Sequence, residues 1–396
     1  MRQASDQSAD GSVLVVGGEP AALSCVARLL AEGVSVCHIY PVPWGLWGAS
    51  RDIGLAYPED GEPWERLSHA LGEEVARQWH DWGKTGVELL TERARESEGF
   101  RRGSRLSLAR QPQEAGLIAR DALERQRLGD EVRLMSGAAA SNYAPLATTV
   151  HQASFETHAV AFAPVPLCEV LLEPLRQQPG YHPFGLAPDP WSSCTVSSRE
   201  SGPTVSWQDD QGSHRLTGEV VVVAAGFDSG RLLGRFSKVL VPLLAQAFRS
   251  PPLRESSRSS VVGLTASWGL ERYRFDDQRR LLGCGLDPGL GEAHQQAVVL
   301  DVAQSRFWQR ACGLFSDLEL SDPQEVLRWG VLFCTTCDGL PLLGPLPGEP
   351  RLQLAAGFGT SAWSRGYQAG DELARCLLQG GHGPALMERC SPRRLL

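Results

Sequence analysis

The sequence predicts an α/β fold, α+β overall, in which a Rossmann-like nucleotide-binding domain is joined to a second, mainly antiparallel β domain. Three stretches carry the prediction. "VLVVGGEPAALSCVARLLAEGVSVCHIYP", Val13 to Pro41, runs four apolar residues into a glycine pair, then a helix, then a second apolar strand. That is the frame of a phosphate-cradling βαβ unit. "VVVVAAG", Val220 to Gly226, repeats the apolar strand and glycine turn in mid-chain. "RLQLAAGFGTSAWSRGYQAGDELARCLL", Arg351 to Leu378, is strand, glycine loop and helix again. These units bracket two less regular insertions, so one domain is assembled from separated segments and the other from what lies between them.

Val13 to Val16 is apolar throughout, as in a parallel strand buried on both faces. Ala22, Val26, Leu29 and Leu30 follow at helical spacing, and Gly33 stands where a helix stops. Val34 to Tyr40 is the second strand. Glu62 to Glu98 reads as charged helix with Trp64, Trp79 and Trp82 interleaved, and "APVPLCEVLLEPLR", Ala163 to Arg176, as an amphipathic helix. "TVSWQDDQGSHRLTGEVVVVAAG" reads as a hairpin with Gln208 to His214 at its turn, leading into the strand Val220 to Ala224. Val261 to Gly285 alternates like exposed antiparallel strands. Linkers are expected near Ser250 to Ser260 and Pro345 to Pro350. The strands Val13–Val16, Val34–Tyr40, Val220–Ala224 and Leu352–Ala355 are expected to share one parallel sheet.

Composition excludes several classes of function. Of 396 residues, 42% are hydrophobic and 21% charged, which is ordinary for a globular protein, and the formal net charge is −8. A mildly acidic chain with no basic cluster beyond Arg393-Arg394 is not a nucleic-acid binder. The opening "MRQASDQSADGS" lacks an apolar signal core, and runs such as "VVVVAAGF" are too short to span a bilayer. Ten scattered cysteines do not form a secreted disulfide pattern, so a cytoplasmic protein without membrane contact is expected.

With these pieces in order, the chain resembles the D-amino-acid oxidase, glycine oxidase and sarcosine oxidase family of flavin enzymes, from about Ser12 to Leu378. "CDGLPLLGPLPGEPRLQLAAGFGTSAWSRGYQAGDELA", Cys337 to Ala374, resembles the family's threonine-proline-aspartate-glycine stretch with its following strand, glycine loop and last helix. "VVVVAAGFDS" is similar to the strand and turn beside the flavin's adenosine, and "GASRDIG", Gly48 to Gly54, to the small-residue loop that passes the flavin. The resemblance implies an FAD-binding domain of residues 12–58, 160–232 and 338–380, with a substrate domain of 59–159 and 233–337. It implies non-covalent FAD held by Gly17, Gly18, Pro20, Ala21, Ala22, Tyr40, Ala49, Ser50, Ala225, Gly226, Gly357, Phe358, Gly359, Thr360 and Ser361. It implies hydride transfer from an amine-bearing carbon to flavin N5, with Tyr273, Phe333 and Arg274 beside the substrate. Gly357 and Gly359 ahead of Thr360, Ser361 and a helix would place bare N–H groups toward the electron-rich end of the reduced ring.

The chain departs from the family at five places. Glu19 replaces the second glycine, the one that lets backbone approach the diphosphate. A carboxylate about 4 Å from a phosphate charge costs about 4 kcal/mol at an effective dielectric near 20, roughly a thousandfold in affinity. The same acid, ahead of Pro20, would serve the helix dipole from within. Tyr40 ends the second strand where the family has an acid for the ribose hydroxyls, although a phenol can still hydrogen-bond. Phe333 stands where amino-acid-oxidising members carry an arginine for the substrate carboxylate; Arg272, Arg274 or Arg365 could offer an anion contact instead. Cys334 and Cys337 form "CTTC", read as two small hydrophobes rather than a redox pair or a metal site, and Val331 occupies the position of a covalent flavin attachment.

These departures leave three functions open: an FAD-dependent oxidoreductase acting on a bulky or carrier-bound amine, a degenerate flavin-free homologue serving as scaffold or partner subunit, and, more weakly, an NAD-linked enzyme. No metal site is expected.

Overall fold

The computed structural model describes residues 5–8, 12–44, 48–59, 62–97, 99–147, 150–186, 191–199, 202–210, 212–254, 259–286, 297–315, 317–318, 322–380 and 383–396. They divide into two compact units, one of residues 1–51, 165–243 and 332–396, the other of residues 52–164 and 244–331.

The first unit is built on a six-stranded sheet in the order Leu342–Leu346, Glu349–Ala356, Val220–Val223, Ser12–Val16, Ser35–Pro41, Tyr181–Leu186. Val13 lies opposite Val220 on one side and Val36 on the other, and Val221 opposite Leu352, all in parallel register. The four strands expected to share a sheet do so. Tyr181–Leu186 adds a fifth parallel strand, and Leu342–Leu346 closes the far edge antiparallel.

Helix Pro20–Ala31 follows the first strand, with proline at its first position and Gly33 left-handed after its end (φ +79°). It lies against the last helix, Tyr367–Leu378, so closely that a Cβ on Gly370 would sit 2.0 Å from the Ala21 carbonyl oxygen. Arg28 grips the buried Asp371 with two bonds of 2.9 and 3.3 Å, and Arg375 adds a third cationic contact at 2.9 Å. A four-stranded sheet, Ser5–Ser8, Gly212–Thr217, Gly202–Asp209 and Thr195–Arg199, contributes Trp207 and Leu216 to the same core as Leu14, Val221 and Leu354. The hairpin turns between Asp209 and Gly212, within the expected loop.

A nine-stranded sheet forms most of the second unit; from Leu240–Pro252 onward its pairs are antiparallel, except that Gly263–Ala266 runs parallel beside Arg101–Ala109. Helices Trp64–Leu71, Glu73–Ala94, Pro112–Arg127 and Ala297–Cys312 complete this unit. The expectation of exposed strands over Val261 to Gly285 is corrected here: Gly263–Ala266 and Glu271–Phe275 are buried at every position. The alternation is real, but both faces are covered and the arginines are paired inside. The division between units also differs from the expected boundaries. Residues 52–58 and 160–164 belong to the second unit, because Leu55 and Ala56 pair with Ala161 and Val160, while 233–243 and 332–337 belong to the first.

Candidate functional site in the glycine-rich cradle

In the first unit, three backbone turns converge: the Gly17-Gly18 turn ahead of helix Pro20–Ala31, the turn Gly48–Arg51, and the turn Gly226–Asp228. Gly17 (φ +139°) has no room for a side chain, since its Cβ would lie 1.9 Å from the Ala224 oxygen. His38 fixes this turn from below. Its Nε2–H donates to the Gly17 carbonyl at 2.8 Å, which leaves Nδ1 to accept from the Tyr181 hydroxyl at 3.0 Å. Burial pushes the His38 pKa down to about 4, so the ring is neutral.

Glu19 occupies the space between the turns. It is the N-cap residue, yet its side chain makes no capping bond; it does not serve the helix end in the way expected. The carboxylate reaches across instead to the Ala49 N–H, which lies 3.3 and 3.4 Å from its two oxygens. A Cβ on Gly48 would fall 1.6 Å from Glu19 Oε1, and one on Gly226 3.0 Å from it. Although part of the residue meets solvent, loss of water around the carboxylate pushes its pKa up to about 7 against the Ala49 hydrogen bond, and Asp228 pushes the same way. Ala49 is held from its other end too, by the Trp363 indole N–H donating to its carbonyl at 3.0 Å.

The neighbouring positions are filled in the same manner. Tyr40 stacks on Trp44 (centroids 5.3 Å, planes 10° apart) and its hydroxyl is bonded by Arg176. The Trp44 ring lies on Gly18, where a Cβ would come within 2.7 Å of it. Ala21, Ala22 and Ala49 are buried, Ser50 is nearly so, and the Ala225 N–H is taken by Ser229 Oγ at 3.0 Å. A cavity of 20 Å³, about the room of one water molecule, is lined by Glu19, Pro20, Gly226, Phe333, Gly357 and Gly359 among others. Gly357 and Gly359 are left-handed (φ +88° and +54°), Phe358 stands between them, and the chain passes through Thr360 to Ser361, whose N–H and hydroxyl both bond the Phe358 carbonyl. The structure thus brings Phe333 and the glycine loop to one small cavity with Glu19.

This succession of cradle, central strand and C-terminal glycine loop matches a known family along most of the chain: the FAD dependent oxidoreductase (DAO) description fits residues 12–376. The chain belongs to the FAD dependent oxidoreductase family. No curated protein matches it closely. Among solved structures, it is similar to glycine oxidase from Geobacillus kaustophilus (TM-score 0.74, 19% identity, 98% of this chain and 99% of that one). It is also similar to iminodiacetate oxidase from Chelativorans sp. BNC1 (0.74, 18%, 96% and 98%). Fructosyl amine: oxygen oxidoreductase from Aspergillus fumigatus is a third (0.72, 15%, 98% and 91%).

Set against the family's cofactor, the cradle does not fit. A diphosphate lying on the glycine turn would need the Ala49 N–H and the space between Gly48 and Gly226, and Glu19 holds both. The ribose position is closed by Tyr40, Arg176 and Trp44.

The residues assigned to the substrate have internal partners in the second unit. Tyr273 is packed between Phe307 and Phe315, with its hydroxyl donating to Glu271 at 2.7 Å, so it lies in the core rather than shaping an open pocket. Arg272 holds Asp52 with bonds of 3.0 and 2.9 Å, both side chains 1% exposed, and Arg274 donates to the Ile53 carbonyl. Neither is a solvated strand arginine, and neither offers its charge to an outside anion in this arrangement. None of the ten cysteines is in a disulfide; Cys334 is buried in the strand Leu327–Thr336, and Cys337 is exposed in the turn that follows it.

Sequence reading missed a buried charge cluster in the second unit. Glu59, His80 and Asp130 bring three ligand-type atoms within 4.8 Å of one another. Cations already pair the carboxylates: Arg125 with Glu59 and Asp130, Arg105 with Glu59 at 3.0 Å, and Lys84 with Asp130. Burial alone would raise the Asp130 pKa, but His80, Arg125 and Lys84 hold it well below the carboxylate range. The cluster is a neutralised ion network. Its members are spread from residue 59 to 156, which is why no local motif announced it. Among the described residues, no helix is long and apolar enough to cross a membrane.

Proposed function

We propose that this chain keeps the fold of the FAD dependent oxidoreductases without holding FAD in the form described, and serves as a flavin-free binding or partner subunit. The reading rests on one observation, the Glu19 carboxylate seated on the Ala49 N–H between Gly48 and Gly226. The Tyr40–Trp44 stack and the 20 Å³ cavity support it, because a cofactor of this size needs several hundred Å³. Ten cysteines without a disulfide fit a reducing compartment such as the cytoplasm.

The test is spectroscopic. The purified protein is expected to be colourless, to release no flavin on denaturation, and to show no saturable binding when titrated with FAD. A yellow protein with one flavin per chain would overturn the reading.

A second reading, FAD-dependent oxidation of the C–N bond of a bulky or carrier-borne amine, is favoured by the left-handed Gly357 and Gly359. Glycine oxidase and fructosyl amine: oxygen oxidoreductase, among the similar structures, belong to that class by name.

A further inference from the structure

We propose that the strand Gly212–Thr217 is a strand-addition site for a partner protein, and that the chain's own Ser5–Ser8 is the placeholder on it. The partner segment is extended and reads apolar, acidic, apolar over three successive residues. The site lies in the four-stranded sheet, outside the glycine-rich cradle, and stands whether or not the cradle holds flavin.

The register of that sheet carries the argument. Val196, Val205 and Leu216 lie opposite one another across three strands, and all three belong to the buried core of this unit or pack against it. The next position in the row, in parallel register with Leu216, is Gln7. In the neighbouring row the buried Trp207 lies opposite His214 and stacks on it (centroids 5.1 Å, planes 15° apart), and the next position is Ser5. Residues directly opposite share a face of a sheet, so one apolar row and one aromatic row each end on a polar residue. Ser5-Asp6-Gln7-Ser8 contains no apolar residue, which leaves it no hydrophobic burial to hold it in place. Among the described residues it pairs with one neighbour only.

Position 6 is different. Asp6 is in register with Arg215 on the alternate face, and an acid opposite a cation is the favourable pairing. The chain's own strand therefore suits this edge in charge and mismatches it in hydrophobicity. A segment with valine-like residues at the two outer positions and an acid between them suits it in both. Backbone hydrogen bonds would supply the affinity of such a segment and its alternate side chains the specificity. A second copy exchanging the same segment would bring the same polar residues, so the partner is a different protein.

The probes are labelled synthetic peptides of residues 1–11, titrated into the unmodified protein by fluorescence anisotropy. The peptide with Ser5→Val and Gln7→Val is expected to bind saturably, at least tenfold tighter than the unaltered peptide. Adding Asp6→Lys weakens it at least fivefold. Asp6→Pro with Gln7→Pro removes backbone donors and abolishes binding. In hydrogen exchange, the bound valine peptide releases the amides of Ser5–Ser8 and slows those of Gly212–Thr217. The protein carrying Ser5→Val and Gln7→Val holds its own strand and is expected to bind the same peptide at least tenfold more weakly.

A valine peptide no tighter than the unaltered one would overturn the inference. Proline peptides that bind equally well would do the same, because the backbone would then not be the contact. So would binding that leaves exchange in Gly212–Thr217 unchanged. Should the doubly substituted protein fold poorly, the peptides on the unmodified protein decide alone.

Discussion

Glu19 and His38 sit on either side of the same turn, and burial moves their titrations in opposite directions. The Glu19 pKa is raised from 4.5 to about 7, so the folded protein holds a proton that the unfolded chain has released. Its contribution to stability is complete below pH 4.5 and is lost as the pH rises through about 7. His38 is lowered from 6.5 to about 4, so its contribution is complete above pH 6.5 and is lost as the pH falls through about 4. Each span is worth up to about 3 kcal/mol, at about 1.4 kcal/mol per pH unit. Urea unfolding between pH 4 and 8 is expected to show Glu19→Gln losing the alkaline decline, and His38→Gln losing the acid one. Profiles that superimpose on the unmodified protein would mean that neither group is held as described. Glu19 was legible in the sequence as a misfit, because a fingerprint fixes what each position must do. Its partner was not legible, since nothing local says that residue 19 will meet residue 49. His38 gave no signal at all, for a single histidine in an apolar strand has no spacing to read.

The strands of the second unit show how an alternating pattern can mislead. "ERYRF" looks like a strand with one wet face, yet Arg272 and Arg274 turn inward, to Asp52 and to the Ile53 carbonyl. Alternation records that two faces differ, and it cannot record that the polar face has found buried partners. The Arg272–Asp52 pair is nearly inaccessible at both ends, so breaking one side leaves an uncompensated charge. Asp52→Ala is expected to cost about 3–5 kcal/mol in denaturant unfolding, with Asp52→Ala/Arg272→Met recovering most of that loss. A single substitution without effect would show the pair to be open to water. The parallel strands were far easier to read, because continuous valine runs flanked by glycine leave little alternative. The segment Pro345 to Pro350, expected as a linker, is instead the tip of a hairpin with Gly348 left-handed (φ +76°). Glycine and proline mark a turn in either case, and only pairing of the flanking residues distinguishes the two.

Across the whole molecule, the order of the units was readable from 396 residues because each carries its own periodicity, parallel runs in one and alternation in the other. The family followed from that order. What could not be read was the long-range filling: Glu19 onto Ala49, Arg176 onto Tyr40, and the ion network from Glu59 to Glu156. The substrate prediction belongs at this scale, since it depends on several positions together. Phe333 lines the small cavity and supplies no charge, while Arg272 and Arg274 are engaged elsewhere. A buried substrate carboxylate would therefore lack both of these cations. Glycine, sarcosine and D-alanine are expected to turn over far below a kcat/KM of about 10⁴ M⁻¹s⁻¹, even with FAD supplied; a value at that level would show that another cation serves. The Trp44 ring lying on Gly18 has a consequence for the routes by which such a protein can change. Restoring a glycine at position 19 frees the diphosphate corner but leaves indole and phenol over the ribose corner, and replacing Tyr40 alone leaves the carboxylate in place. Neither first step by itself makes room for a whole dinucleotide, so neither is rewarded until the other is taken. Filling a site with several side chains works as a ratchet: it can be entered one substitution at a time, but the return needs two at once.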